Sequence, residues 1–152
     1  MRQFVGFVFA ILSIGASSCI STHQSAFVGV PAVMWQRGGA EIVMNNGDTV
    51  SRRNIDLVLR YAPSMVREKN WMELNITTIA PDSVEITERV VVKGLDASQA
   101  VLNNYRLFEQ RYRSDVVWRQ MGDYRIVVAP SYDSQLINGI LDVGVNITPA
   151  ED

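Results

Sequence analysis

Residues 17–22 read Ser-Ser-Cys-Ile-Ser-Thr, and Cys19 is the only thiol in 152 residues. A thiol acts through its thiolate, so its surroundings decide what it does. No Lys or Arg adjoins Cys19 to lower its pKa, and Ser17, Ser18, Ser21, Thr22, His23, Gln24 and Ser25 make its neighbourhood polar, which disfavours burial. The residues before it are more informative. Arg2 gives a positive start, Phe4 to Ile14 an apolar run, and Gly15-Ala16-Ser17-Ser18 a group of small residues. That three-part layout is an export signal. The run is too short for a membrane span, which takes about 20 apolar residues. A cysteine at the cut suits bacterial lipoprotein processing, where the thiol is acylated and becomes the mature N-terminus. Ala16-Ser17-Ser18 resembles a lipobox, with Ala where Leu is usual. Lipidation at Cys19 is therefore the expectation, and secretory cleavage beside an idle cysteine is the alternative. An acyl chain contributes about 0.8 kcal/mol per buried methylene, and stable anchoring needs more than one chain. A lipoprotein cysteine carries several.

The other reactive side chains form no familiar constellation. His23 is the sole histidine, four residues past Cys19. A metal site needs several ligands held together, and a histidine base needs a nucleophile within reach. Glu73, Glu85 and Glu88 could form the carboxylate pair of a glycoside hydrolase. Acids at alternating strand positions more simply face solvent. No catalytic residue, metal or cofactor is assigned, and a non-enzyme is expected.

Composition narrows the class further. The chain has 14 basic and 16 acidic residues. Removing residues 1–18 takes away Arg2 and no acid, so 13 basic residues face 16 acidic ones, a net charge of −3. That balance argues against a nucleic-acid partner, and no small-molecule substrate is implied. No second cysteine exists to form an intramolecular disulfide, so packing must hold the fold. The remaining length suits one domain.

The elements that would position these residues read as strands. Ile55, Leu57, Leu59 and Tyr61 share one face, with Asp56 and Arg60 on the other. Met72, Leu74 and Ile76 oppose Glu73, Asn75 and Thr77. Val84 and Ile86 alternate with Glu85 and Thr87 before Val90-Val91-Val92, and Tyr124, Ile126 and Val128 form another row. Last come Leu141, Val143, Val145 and Ile147 against Asp142, Gly144, Asn146 and Thr148. Period-two alternation is the mark of half-buried strands. Glu41 to Met44 and Asp115 to Trp118 are weaker strand candidates, and Tyr105 to Tyr112 fits a strand or an irregular edge. Gly122-Asp123 lies between apolar runs and reads as a hairpin turn. Asp96 or Ser98 could cap a short helix over Ala97 to Asn103. Seven or eight strands without long helices predict an antiparallel β-sandwich, jelly-roll or immunoglobulin-like. The predicted layout is a signal peptide over 1–18, a lipidated tether over 19–34, and the sandwich over 35–150.

Several of these stretches together resemble a known family. They are Leu59-Arg60-Tyr61, Asn70-Trp71-Met72-Glu73-Leu74, Trp118, Gly122-Asp123-Tyr124 and, most specific, Leu136-Ile137-Asn138-Gly139-Ile140-Leu141-Asp142-Val143-Gly144-Val145-Asn146-Ile147. With Trp35 as an early tryptophan, the chain over 35–148 resembles the GldH family of gliding-motility lipoproteins from Bacteroidota. Ala129-Pro130-Ser131-Tyr132 departs from the family's usual Gln-x-Met-Arg stretch. The resemblance implies a lipid-anchored outer-membrane component of a gliding or type IX secretion machinery, partnered by other envelope lipoproteins or secretion components. It implies no reaction.

Candidate contact residues follow from side-chain type. Trp35, Trp71, Trp118, Tyr105, Tyr112 and Tyr132 could serve an interface or fill the core. Tyr105 to Arg113 is the best single patch, or else a charged edge strand. A glycan- or peptidoglycan-binding lipoprotein is the alternative function, favoured by solvent-facing aromatics on one sheet. Arg60 is expected to pair with a strand acid on its own face. Asp142 is expected to accept backbone N–H bonds in a turn, and Gly144 to let a backbone or ring approach. Asp48-Thr49-Val50 and Asp82-Ser83-Val84 fit the Asp-Ser/Thr-apolar pattern of O-glycosylation in Bacteroidota.

Overall fold

The computed structural model describes residues 23–36, 38–66, 71–95, 105–131 and 137–151. Its strands are β1 (Gln24–Gly29), β2 (Ala40–Asn46), β3 (Arg53–Tyr61), β4 (Trp71–Ile79), β5 (Glu85–Lys93), β6 (Arg106–Val116), β7 (Gly122–Pro130) and β8 (Ile140–Pro149). They form two four-stranded sheets, in the orders β1-β8-β3-β6 and β2-β7-β4-β5. Every pairing is antiparallel. Only β4 and β5 are successive strands that pair; each other connection passes between sheets. This order is the eight-stranded jelly roll, not the immunoglobulin arrangement.

The alternating residues make the core. Ile55, Leu57, Leu59 and Tyr61 of β3 and Val143, Val145 and Ile147 of β8 are buried against Ile42 and Met44 of β2, Met72, Leu74 and Ile76 of β4, and Tyr124, Ile126 and Val128 of β7. Each such side chain, fully withdrawn from water, contributes about 1.5–3 kcal/mol. Trp35 joins them, held by a two-way backbone bridge to Ile137 and by its indole N–H donating to the Gly38 carbonyl at 3.2 Å.

Five expectations change. Residues 24–29, inside the stretch expected to be tether, are strand β1 paired along β8, so the sandwich begins at Gln24 and not at 35. Gly122-Asp123 is no hairpin: β6 pairs with β3, and β7 with β2 and β4. Gly122 does take positive φ, but where the chain crosses between sheets. Asp115 to Trp118 is not a strand of its own; β6 ends at Val116, beside a bulge where Asp115 takes φ 56°. Val84 and Ile86 are exposed: Val84 lies in the β4–β5 loop ahead of β5, and Ile86 near the start of β5, an edge strand. Ile140, not Leu141, is fully buried, because a bulge shifts the register between Arg60↔Asp142 and Tyr61↔Ile140. Of Tyr105 to Tyr112, Arg106 onward resolves as strand, at the edge of its sheet, with Tyr105 just ahead of it. Cys19, the helix expected over 97–103 and Tyr132 lie outside the described residues.

Candidate functional site

The outward face of the β1-β8-β3-β6 sheet gathers much of the sequence-level motif. Strand registry sets Arg60 opposite Asp142, Val58 opposite Gly144 and Asp56 opposite Asn146. Arg60 donates to the Asp142 carboxylate, so Asp142 serves a cross-strand ion pair and not the turn expected for it. The Arg60 guanidinium also lies over the Tyr105 ring, 5.5 Å from its centre. One row along, Phe27 of β1 lies directly on Gly144; a Cβ there would stand 2.2 Å from the Phe27 Cδ1. The closing strand's glycine is thus the floor under an aromatic ring. The next row is polar. Ser25 Oγ donates to Asn146 Oδ1 at 2.6 Å, Asn146 Nδ2 donates to Glu109 Oε1 at 3.0 Å, and Arg111 pairs with Asp56. Phe27, Tyr105 and Leu107 remain exposed on this face.

A second cluster joins the edge strands of the two sheets. The Tyr112 hydroxyl donates to Glu88 Oε2 at 2.6 Å and Arg113 Nε donates to the same oxygen at 2.9 Å. The Tyr112 hydroxyl, then Arg113, holds the Glu88 carboxyl below its ordinary pKa, while burial, then Glu88, raises that of Tyr112. Gln110 Nε2 reaches the Val91 carbonyl at 3.3 Å and occupies one outward backbone acceptor of β5.

The third cluster closes the end of the sandwich where β2, β4 and β6 finish and β3, β5 and β7 begin. Asn46, nearly completely buried, donates to the carbonyls of Trp118 at 3.1 Å and Gln120 at 2.7 Å, and accepts from Arg53 Nη1 at 2.6 Å. Arg53 lies over Trp118, which stacks on Tyr124 with ring centres 4.3 Å apart. Gln120 also donates to the Asp82 carboxylate at 2.6 Å. Asp48 accepts from the Val50 and Ser51 backbones, and Asp82 accepts from the Val84 backbone. The Ser51 hydroxyl first, then these backbone bonds, lowers the Asp48 pKa to about 2. Both Asp-Ser/Thr-Val stretches are therefore Asx turns, in which the aspartate fixes its own loop.

The remaining candidates are dispersed. Glu73 pairs with Arg89 and accepts from Ser131, Glu88 is held as described, and Glu85 is exposed at the start of β5. His23 is exposed just ahead of β1. Among the described residues, no three His, Cys, Asp or Glu side chains group closely enough to hold a metal ion. Trp35 and Trp118 are core residues, and Trp71 opens β4. A shallow groove beside the end of β8 is lined by Asn54, Arg111, Asp115 and Thr148. Sequence reasoning missed the Asn46 hub, whose furthest named partner, Gln120, lies 74 positions along the chain.

No family model and no curated protein matches the chain. Among solved structures, it is similar to part of a structure of infectious bursal disease virus, Gx strain, at 15% identity and TM-score 0.36, covering 85% of this chain and 32% of that one. It is also similar to an arabinose-bound α-L-arabinofuranosidase at 8% identity and TM-score 0.37, covering 86% and 22%. A third is the Tobacco streak virus coat protein dimer, at 10% identity and TM-score 0.30, covering 87% and 88%. The chain thus spans about a third or less of the first two.

Proposed function

We propose that this chain is a lipid-anchored, non-enzymatic envelope lipoprotein, an accessory or scaffold of a gliding-motility or type IX secretion-associated machinery at the outer membrane. The observation that carries the reading is the placement of Cys19. It follows an export signal and stands five positions ahead of Gln24, where β1 enters the sheet. Acylation there confines the jelly roll to the membrane plane and raises its effective concentration toward membrane partners. The edges of β5 and β6, each paired on one side among the described strands, offer strand addition.

A second reading, a glycan- or peptidoglycan-binding lipoprotein, is favoured by one observation: Phe27 and Tyr105 are exposed on one sheet face, around the polar row of Ser25, Asn146 and Glu109. Aromatic platforms beside fixed amides and carboxylates suit sugar rings. Crosslinking in cells, followed by pull-down from native membranes, separates the two. Envelope lipoproteins or secretion components recovered with the wild type and lost with Cys19→Ala support the scaffold. Recovery of cell-wall or surface glycan alone sinks it in favour of the binding module.

A further inference from the structure

Three loop tips at one end of the sandwich carry exposed apolar side chains. Val50 in the β2–β3 loop is 81% exposed, Val84 in the β4–β5 loop 58%, and Met121 in the β6–β7 loop 67%. A single exposed apolar residue is ordinary; three from separate loops on one end form a pattern. The loops are also tied to one another. Asn46 bonds the β2–β3 side to the Gln120 carbonyl, and the Gln120 side chain bonds Asp82 in the β4–β5 loop. The Asx turns at Asp48 and Asp82 fix the backbones of Val50 and Val84. The tips therefore stand on a braced platform.

Strand β1 begins at this same end. Gln24 pairs with Ile147 near the finish of β8, and its side chain donates to the Asn45 carbonyl at the finish of β2. Five residue steps separate Cys19 from Gln24. Fully extended, they span at most about 18 Å. The ten residues of β8 run about 33 Å. A chain anchored at Cys19 cannot turn its far end to the bilayer on so short a lead.

We propose that this end is seated on a bilayer of net-neutral headgroups, with Val50, Val84 and Met121 entering the boundary between headgroups and acyl chains. The seating rests on the anchor at Cys19. Shallow burial of apolar side chains at that boundary is how surface-bound segments hold to lipid. The charge at this end selects the headgroup. Asp48, Asp82, Glu85, Asp115, Asp123 and Glu151 outnumber Arg52, Arg53 and Arg119 there, which disfavours anionic lipid. The seating would hold Phe27, Tyr105 and Leu107 clear of the membrane for a partner.

The test uses full-length protein, processed and acylated in cells and reconstituted into phosphatidylcholine vesicles. Val50→Cys, Val84→Cys and Met121→Cys each take an environment-sensitive dye, since the acylated Cys19 sulfur does not react. Val33→Cys is the control, because Val33 is as exposed as Val84, also 58%, but lies at the far end, in the β1–β2 connection. The expected result is a blue shift and loss of quenching by aqueous iodide at 50, 84 and 121, with neither at 33. Equal quenching at all four positions on vesicle-bound protein overturns the seating and leaves the anchor standing. Protein that does not float with vesicles overturns the anchor, and the seating with it.

Discussion

Replacing Asn46 with Ala should destabilise the domain far more than the same change at Asn45. The two are neighbours at the end of β2, with identical side-chain chemistry on opposite faces. Asn45 is exposed and donates to Asp123 Oδ1 at 2.7 Å. Asn46 is 2% exposed and bonds Arg53, Trp118 and Gln120. A bond to a buried guanidinium is worth about 1.5–3 kcal/mol, and each neutral bond about 0.5–1.5 kcal/mol. Water entering at the loop end recovers part of this, leaving a loss of about 3–4 kcal/mol. A typical domain has only about 5–15 kcal/mol in all. With a urea slope of about 2 kcal/mol per molar, the unfolding midpoint should fall by about 1.5–2 M. Asn45→Ala should move it by about 0.25 M or less, as surface changes stay within about 0.5 kcal/mol. Asn46→Asp should fail to rescue, since it keeps the Arg53 acceptor but turns a carboxylate toward two carbonyl oxygens. Equal midpoints for Asn45→Ala and Asn46→Ala would refute the buried hub.

Other outcomes follow from the same contacts. Gly144→Ala must displace the half-exposed Phe27 ring, a loss of about 1 kcal/mol from half its burial. It also removes the strand penalty of Gly, about 0.5–1 kcal/mol. It should therefore be neutral to mildly destabilising in the native chain and stabilising in a Phe27→Ala background; the same sign in both backgrounds would contradict the ring-on-glycine contact. Tyr112→Phe removes the hydroxyl that does most to lower the Glu88 pKa, so an NMR titration should show that pKa rising, and an unchanged midpoint would count against the pairing. Asp48, lowered from 3.8 to about 2, contributes stability that is fully present above pH 4 and is lost as pH falls toward 2. The amide shifts of Val50 and Ser51 should hold through pH 4 and move with a midpoint near 2; a midpoint near 4 would show that these bonds do not form.

The fold was legible where one face of a strand meets the core and the other meets water. β4 and β7 alternate because both of their sides pair and one face is covered, whereas β3 also buries Asp56 and Val58 on its outward side. The pattern misled at the margins. Val84 and Ile86 alternate like core residues, yet Val84 lies in the β4–β5 loop and Ile86 near the start of an edge strand, both exposed. Leu141 falls out of phase through a bulge that periodicity cannot register. β1 was hidden because Ala26 and Val28 are modest apolar residues among Ser, Gly and Phe, in a stretch that composition marks as linker. The outer-face contacts were half visible. Arg60 needed a strand acid, and Gly144 a close approach; only strand registry identifies Asp142 and Phe27 as the partners. The braced loop end was not legible at all, since Asn45-Asn46-Gly47-Asp48 reads as a turn and its partners lie far along the chain.

The measurement that bears most directly on the account is the intact mass and N-terminal sequence of the mature protein extracted from native outer membranes. The expected product is a chain beginning at Cys19, lacking residues 1–18, with added mass equal to a diacylglyceryl group and an amide-linked acyl chain. A chain that begins elsewhere, or that begins at Cys19 with an unmodified thiol, would contradict the anchor and the function built on it.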